Sequence, residues 1–514
     1  MMKFRTIWFV LAMMFISACN GGGGDGDDNG NQPPTENNQP TTGSVGQQAD
    51  RLQAELEAGG YEVARGSFKL FTIEDCKYPI PVVGNCFGNN PAAPYIISAV
   101  PLWPDEFVDE SMRNLLGPLP DNASATFRFD KREALLIFGL LPPPGKYFGL
   151  QTYVFTREDA IDPTDPVFQR TLSDPKINEI LFSEAPDPSR VLMFSSLGNS
   201  NNNVVIERQA GAAFGQRRSF VISTDAAMAR EMTEALVRAR VSDPNQVFTE
   251  PVSPEVARVG LGAEADDFMT LIRYAQPLDK EAGEQWRQQI PLAVLRVRNK
   301  NASATEPWPT PAYDPKTARS ELGLESDLTA LVAAVKQEWG QPSASTGQSQ
   351  SLQLFVDLIG QHCLPRPMNC LGDTQDSDYQ ISPTVNVDNG EVIAVAGTLG
   401  TATGNATYVS LSVNWFDVLQ GVANLSDEDL QGSASRFSGT VANTDKFYVH
   451  YFARDCTGLP DCQEITEEMV PRGGLIKILQ RNYIVPETTR GPDPNQLLNP
   501  VAIVLDGTAR PASR

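Results

Sequence analysis

The stretch SATFRFDKREALLIFGLLPPPGKYFGLQTYVFTRE, Ser124 to Glu158, sets the expected fold class. Its aromatics alternate as on half-buried strands, and Pro142-Pro143-Pro144-Gly145 interrupts the run with a strong turn or hairpin signal. Two apolar strand runs about a turn point to a β-rich fold.

Outward from this centre, Ala49 to Ala58 reads as a short helix, and Glu62 to Ile73 and Tyr95 to Leu102 read as strands. Downstream, SFVISTDAAMAREMTEALVRAR (Ser219 to Arg240) reads as a strand, a Ser223/Thr224 cap signal and a helix. Its Met228, Met232, Ala235, Leu236 and Ala239 share one face, which predicts a β-α-β segment. The strand IPLAVLRVRN, Ile290 to Asn299, closes this region with an alternating basic face at Arg296 and Arg298. From Asn301 to Pro315 the composition turns to Pro, Ala, Thr and Trp, the mark of a linker. Leu324, Leu328, Leu331, Val332, Val335 and Trp339 then recur at helical spacing, a stripe suited to packing on a domain. After the polar break GQPSASTGQSQS (340–351), Gly390 to Trp415 and Asp445 to Cys456 read as strands of a β-rich region. The expected organisation is an α+β, β-rich chain of two lobes or domains. Residues 1–18 are a signal peptide, 19–47 a flexible polar tether, 48–300 a first α+β lobe, 301–350 a linker with an amphipathic helix, and 351–514 a β-rich second lobe.

The amino-terminal reading rests on Lys3, Arg5 and the apolar run Ile7 to Ile16. Ten residues at about 1.5 Å each cover only about half of a roughly 30 Å hydrocarbon core, so the run suits a signal peptide better than a membrane span. Its end, Ile16-Ser17-Ala18-Cys19, resembles the lipobox of bacterial lipoproteins. The resemblance implies cleavage before Cys19, diacylglycerol on its sulfur, usually a third acyl chain (commonly palmitate) on the new amino terminus, and stable membrane anchoring. Asn20, in place of an aspartate, implies the outer membrane. Asp25 to Glu36 also matches an EF-hand calcium loop, with Asp25, Asp27, Asn29, Gly30 and Glu36 at the expected positions. Gly21 to Gly24, Pro33 and Pro34 leave no flanking helices to hold the ligands, so the stretch reads as a solvated tether spanning about 30 Å.

With Cys19 assigned to lipid, six cysteines remain in three close pairs: Cys76 with Cys86, Cys363 with Cys370, and Cys456 with Cys462. Six permit fifteen pairings, and the clustering favours these local disulfides in an oxidising compartment. The formal net charge of -22 over 514 residues excludes a phosphate-neutralising nucleic-acid binder and disfavours direct adsorption to anionic lipid.

Catalytic signals are sparse. With only His362 and His450, HExxH chemistry is excluded, and no GxSxG elbow occurs. Ser173-Asp174-Pro175-Lys176 matches SxxK without its partner motifs. His450, sharing a strand face with Tyr448 and Phe452, is a candidate general base if a carboxylate orients it, with Tyr448 beside it. Asp373, Asp376 and Asp378 in CLGDTQDSDYQ could pool oxygen ligands for calcium, the alternative being a solvated acidic loop. No cofactor beyond the covalent lipid is expected.

PPPGKYFGLQTYVFTR, DDFMTLIRYA with LAVLRVRN, CLGDTQDSDYQ, GTATGNATYVSLSV and VHYFARDC together resemble a dispersed group of uncharacterised exported proteins, over most of Gly66 to Pro500. Some members of that group carry a histidine shortly before ATG, where this chain has Thr398, Leu399 and Gly400. The resemblance implies no activity. The expected function is therefore non-catalytic binding of an envelope partner or extracellular ligand by a lipid-anchored outer-membrane protein facing the periplasm or exterior. The alternatives are a lipid-anchored hydrolase or lyase and a structural envelope scaffold.

Overall fold

In the computed structural model, which describes residues 44–508 except 114, 121, 302–304 and 389, Glu133–Leu140 and Gly145–Glu158 are both strands. Of the expected turn or hairpin, the turn is present and the hairpin is not: the two strands belong to different sheets. Three successive prolines cannot donate ladder hydrogen bonds, and the carbonyls of Pro143 and Pro144 are taken by Tyr274 Oη and the Leu278 amide, both at 2.9 Å. The turn therefore carries the chain across a core. Residues 1–18, Cys19 and the tether up to residue 43 lie outside the described residues.

Glu133–Leu140 sits mid-sheet in the order Glu62–Arg65, Leu292–Arg298, Glu133–Leu140, Arg217–Ser223, Val247–Pro251. Gly145–Glu158 lies in a second sheet, between Asp267–Pro277 and Arg190–Ser196, with Tyr95–Pro101 and Ser67–Phe71 beyond. Leu135, Ile137, Phe220 and Val294 of the first sheet pack against Phe148, Leu150, Phe268 and Ile272 of the second. This first sandwich also corrects the single strand expected over Glu62 to Ile73, because the chain changes sheets at Gly66. A side chain there would meet the Ala99 carbonyl at 2.5 Å.

The second sandwich pairs Ser345–Gln348, Val501–Asp506, Glu391–Thr398, Phe447–Ala453 and Cys462–Glu464 in one sheet. Its other sheet runs Gln350–Ser351, Ser377–Ile381, Ile476–Tyr483, Tyr408–Trp415, Gln420–Ser426. Ile393, Val395 and Phe452 meet Val409, Leu411, Val413 and Ile478 between them.

The two sandwiches share one topology. Setting aside the short strands Ala123–Ser124 and Asn201–Asn202, each has ten strands, with the outer sheet ordered first, tenth, fourth, seventh, eighth and the inner sheet second, third, ninth, fifth, sixth. In both, the seventh and eighth strands pair in parallel and every other neighbouring pair is antiparallel. A helix precedes each set and packs on its outer sheet: Val45–Ala58 with Ala226–Arg238 in the first half, and Glu325–Glu338 in the second. The chain is a tandem repeat, a feature the sequence reading missed.

The expected β-α-β segment is present, as Arg217–Ser223, Ala226–Arg238 and Val247–Pro251. Met228, Met232, Ala235 and Leu236 form its buried face, and the cap is Asp225, which accepts from the Met228 amide at 2.8 Å. The first helix begins at Val45 because Ser44 and Gln47 form a capping box. The apolar stripe of Glu325–Glu338 buries Leu328, Leu331, Val335 and Trp339 on the second sandwich, each worth about 1.5–3 kcal/mol of transfer free energy. Ser345–Gln348 pairs with Val501–Asp506, whereas residues near 306–312 are tied to the first sandwich through Thr310 N to Glu255 Oε2 (2.8 Å) and Asn199 Nδ2 to the Ala312 carbonyl (3.1 Å). The basic face expected at Arg296 and Arg298 is buried. Arg296 bonds Glu106 (2.7 Å) and Glu133, and Arg298 bonds Glu62 (2.6 Å) and Asp105 (2.8 Å). Among the described residues, no helix is long and apolar enough to cross a membrane.

Candidate functional site

The halves meet through equivalent loops. Asn85-Cys86-Phe87-Gly88 and Asn369-Cys370-Leu371-Gly372 each precede the third strand of their half, which begins at Tyr95 in the first and contains Tyr379 in the second. Each loop carries one of the expected disulfides, Cys76–Cys86 and Cys363–Cys370, with Cα atoms 5.3 and 5.9 Å apart. The third pair, Cys456–Cys462, closes the short connection between the seventh and eighth strands of the second half, where the first half has a helix. Phe87 and Leu371 both have positive φ (59° and 55°), and Asn85 and Asn369 each accept from the amide two residues on, at 3.0 and 2.9 Å.

Each loop is docked on the other half. The amides of Cys86 and Gly88 donate to the carbonyls of Val418 and Leu419, both at 2.8 Å; those of Cys370 and Gly372 donate to Met193 (2.7 Å) and Phe194 (2.8 Å). Arg273 of the first half donates to the Gly372 carbonyl at 2.8 Å, and Arg481 of the second to the Gly88 carbonyl at 3.0 Å. Arg273 pairs across its sheet with Tyr95, and Arg481 with Tyr379, so the arginines occupy equivalent positions. The exchange is reciprocal, as across an isologous dimer interface, and Tyr147, Tyr408 and Tyr483 pack at its centre.

One equivalent pair breaks the likeness. In the first half Tyr153 faces Met269 across neighbouring strands; in the second, Asn414 faces Lys477. Tyr153 and Met269 are buried with Phe155 and Phe194, and the Tyr153 hydroxyl accepts from Arg273 and donates to Gln151. Beside the second-half pair, where the halves meet, a cavity of about 70 Å³ adjoins Asn414 and Lys477, walled by Leu181 of the first half and Phe355, Val356 and Leu419 of the second. Lys477 is 5 % exposed and has no ion-pair partner among the described residues; its Nζ lies 3.4 Å from the Ser382 carbonyl and 4.7 Å from the Phe416 ring centre. Asn414 donates to Ser412 Oγ at 3.2 Å while its buried Oδ1 accepts no hydrogen bond from the described residues. Burial pushes the Lys477 ammonium below its ordinary range, against the pull of Asp174.

The residues singled out by sequence do not converge. His450 is 4 % exposed inside the second sandwich, both ring nitrogens lack partners among the described residues, and burial lowers its pKa to about 4. No carboxylate among those residues hydrogen-bonds it, and the Tyr448 hydroxyl donates to Gln480 Oε1 at 2.6 Å. The solvated acidic loop is corrected: Asp373, Asp376 and Asp378 are all buried where the loop inserts between the halves. Asp373 accepts from the Ser196 amide (2.9 Å) and hydroxyl (2.8 Å), the Gly360 amide (2.7 Å) and Gln375 (3.0 Å). Asp376 accepts from Tyr147 (3.0 Å), Ser200, Asn202 (3.3 Å) and Thr374. Asp378 accepts from Ser351 at 2.7 Å, and burial raises its pKa to about 6, opposed by Lys316. The carboxylates thus serve separate donor sets, and among the described residues no group of three or more His, Cys, Asp or Glu could hold a metal ion. Ser173 Oγ donates to the Arg170 carbonyl while Lys176 pairs with Glu179, so SxxK forms no nucleophile.

Sequence reasoning also passed over Glu250. It lines a polar cleft of about 550 Å³ with Asn199, Asn201 and Asp314. Its carboxyl accepts from the Thr152 amide (2.6 Å) and hydroxyl (3.0 Å), and burial raises its pKa to about 7.

No family model matches the chain, and no curated protein matches it. Among solved structures it is similar to an uncharacterised protein from Burkholderia cenocepacia, with a TM-score of 0.38 and 9% identity over 90% of this chain and 88% of that one.

Proposed function

We propose that the protein is a lipid-anchored envelope protein that binds a small, largely apolar ligand, without catalysis, in the cavity beside Lys477. The observation that carries this reading is the contrast between two equivalent pairs: Tyr153 with Met269 fills its position, while Asn414 with Lys477 leaves about 70 Å³ open. A buried lysine without a carboxylate and an unpartnered amide oxygen cost stability. Such a cost, kept in one copy and absent from its equivalent, marks a position held for binding. The anchor reading rests on Ile16-Ser17-Ala18-Cys19, and the three disulfides support an oxidising compartment.

The test is to give the second half the first half's residues. Asn414→Tyr with Lys477→Met should raise stability by about 1–3 kcal/mol and abolish binding of short-chain apolar probes in calorimetric titration. A double variant that is no more stable and binds such probes as the wild type does would refute the reading. Cys19→Ser tests the anchor: it should yield unprocessed protein lacking the lipid mass, and normal processing with membrane retention would exclude acylation. A second reading, a lipid-anchored hydrolase or lyase, is favoured by Glu250, a carboxyl titrating near neutrality on a polar cleft. Its test is loss of a hydrolytic or lyase activity in Glu250→Gln with the fold retained.

A further inference from the structure

The cavity adjoins ionisable side chains that are otherwise committed. Asp373 accepts four hydrogen bonds from Ser196, Gly360 and Gln375. Arg481 donates to Ser412 Oγ and the Gly88 carbonyl and lies over the Tyr379 ring, 5.7 Å from its centre. Lys477 is the exception. An ammonium has three protons to donate, and Nζ has one long contact, 3.4 Å to the Ser382 carbonyl. The facing Asn414 leaves an acceptor free at Oδ1. The remaining wall is apolar: Leu181, Leu352, Phe355, Val356 and Leu419.

Resting on the binding reading above, we infer that the ligand is a short-chain carboxylic acid bound as its anion, with Lys477 as counterion and the apolar wall around its tail. The Asn414 Oδ1 atom is placed to accept from a water or hydroxyl beside the head. The size limit follows from the volume, about 70 Å³, against the roughly 150 Å³ of an engineered apolar cavity that admits benzene. The head follows from charge: a bound carboxylate supplies the partner that a buried ammonium needs. The first half supplies the internal control, since Met269 at the equivalent place carries no charge and packs among apolar side chains.

Calorimetric titration of the full chain with sodium acetate and with ethanol, matched in tail length and within the size limit of about 70 Å³, tests this. Wild-type protein should bind acetate about tenfold or more tighter than ethanol, the scale of one charge-assisted hydrogen bond. Lys477→Met should lose that preference, and Asn414→Tyr should bind neither probe. Equal affinity of the wild type for the two probes, or acetate binding unchanged in Lys477→Met, overturns the carboxylate inference while leaving the binding site in place. Failure of the wild type to bind either probe overturns both. The wild-type comparison alone decides the headgroup, so the inference does not depend on either variant folding.

Discussion

Replacing His450 by phenylalanine should make the protein resist acid. His450 is 4 % exposed, neither ring nitrogen has a partner among the described residues, and burial holds its pKa at about 4, below the ordinary 6.5. Between these values the unfolded chain binds a proton that the folded chain refuses, so stability is present above about pH 6.5 and is lost as pH falls toward 4. Integrated from pH 7.5 to pH 4.5, the loss is about 2.5 kcal/mol. In His450→Phe the new ring would sit beside Phe452, whose ring centre lies 5.4 Å from the imidazole, and its packing would shift stability by an amount independent of pH. Urea denaturation of both proteins at both pH values therefore isolates the titration: the wild type should lose about 2.5 kcal/mol more than the variant. Glu133 and Glu250, whose pKa values burial raises to about 7, act in the opposite sense in both proteins and cancel. An equal drop in the two proteins would refute the buried, neutral imidazole, and with it the argument that His450 is structural.

Glu250→Gln should remove a pH dependence of the opposite sign. The native carboxyl keeps its proton to about pH 7, so the stability it contributes should fall by about 2.5 kcal/mol as pH rises from 4.5 to 7; thermal denaturation across that range should show the wild type losing that much relative to the variant, and identical profiles would dismiss the raised pKa. Arg273→Met and Arg481→Met each strand a glycine carbonyl of the other half and should each cost about 2–4 kcal/mol in denaturant unfolding. A negligible cost for either would mean that the reciprocal contact does not hold the halves together.

What could be read from the sequence was local. The β-α-β segment, the helix stripe at Leu328 to Trp339 and the three disulfides involve residues near one another along the chain, where periodicity and spacing carry the signal. The turn at Pro142 to Gly145 was equally visible, but whether two strands pair or face each other is decided by their other neighbours. Here those are Arg217–Ser223 and Leu292–Arg298 for one strand and Asp267–Pro277 for the other. Arg296 and Arg298 read as an alternating basic face, but alternation cannot reveal that Glu106, Glu133, Glu62 and Asp105 come to meet them. The repeat had a legible trace, Asn85-Cys86-Phe87-Gly88 against Asn369-Cys370-Leu371-Gly372, with tyrosine seven residues after each glycine and Ile-Ser following. Four conspicuous residues repeated over nearly 300 positions are a weak signal until shared topology gives each its partner.

Lys477 and Asn414 had no such trace, and the reason bears on how a site can be found in this chain. In LIKILQRNY a lysine between apolar residues is the ordinary mark of a strand with one wet face, and nothing in the sequence says that this face is covered. The repeat supplies the missing comparison. Where both halves hold the same feature, such as the loop cysteines or the arginines reaching the opposite glycine carbonyl, the shared fold and interface explain it. The fold does not require the difference that replaces a satisfied pair by an unsatisfied one, because in the first half Tyr153 and Met269 meet the same backbone demands within a buried apolar cluster. The uncompensated ammonium at Lys477 is thus separable from the architecture around it, and a ligand that neutralises it would gain from a position the fold has already desolvated.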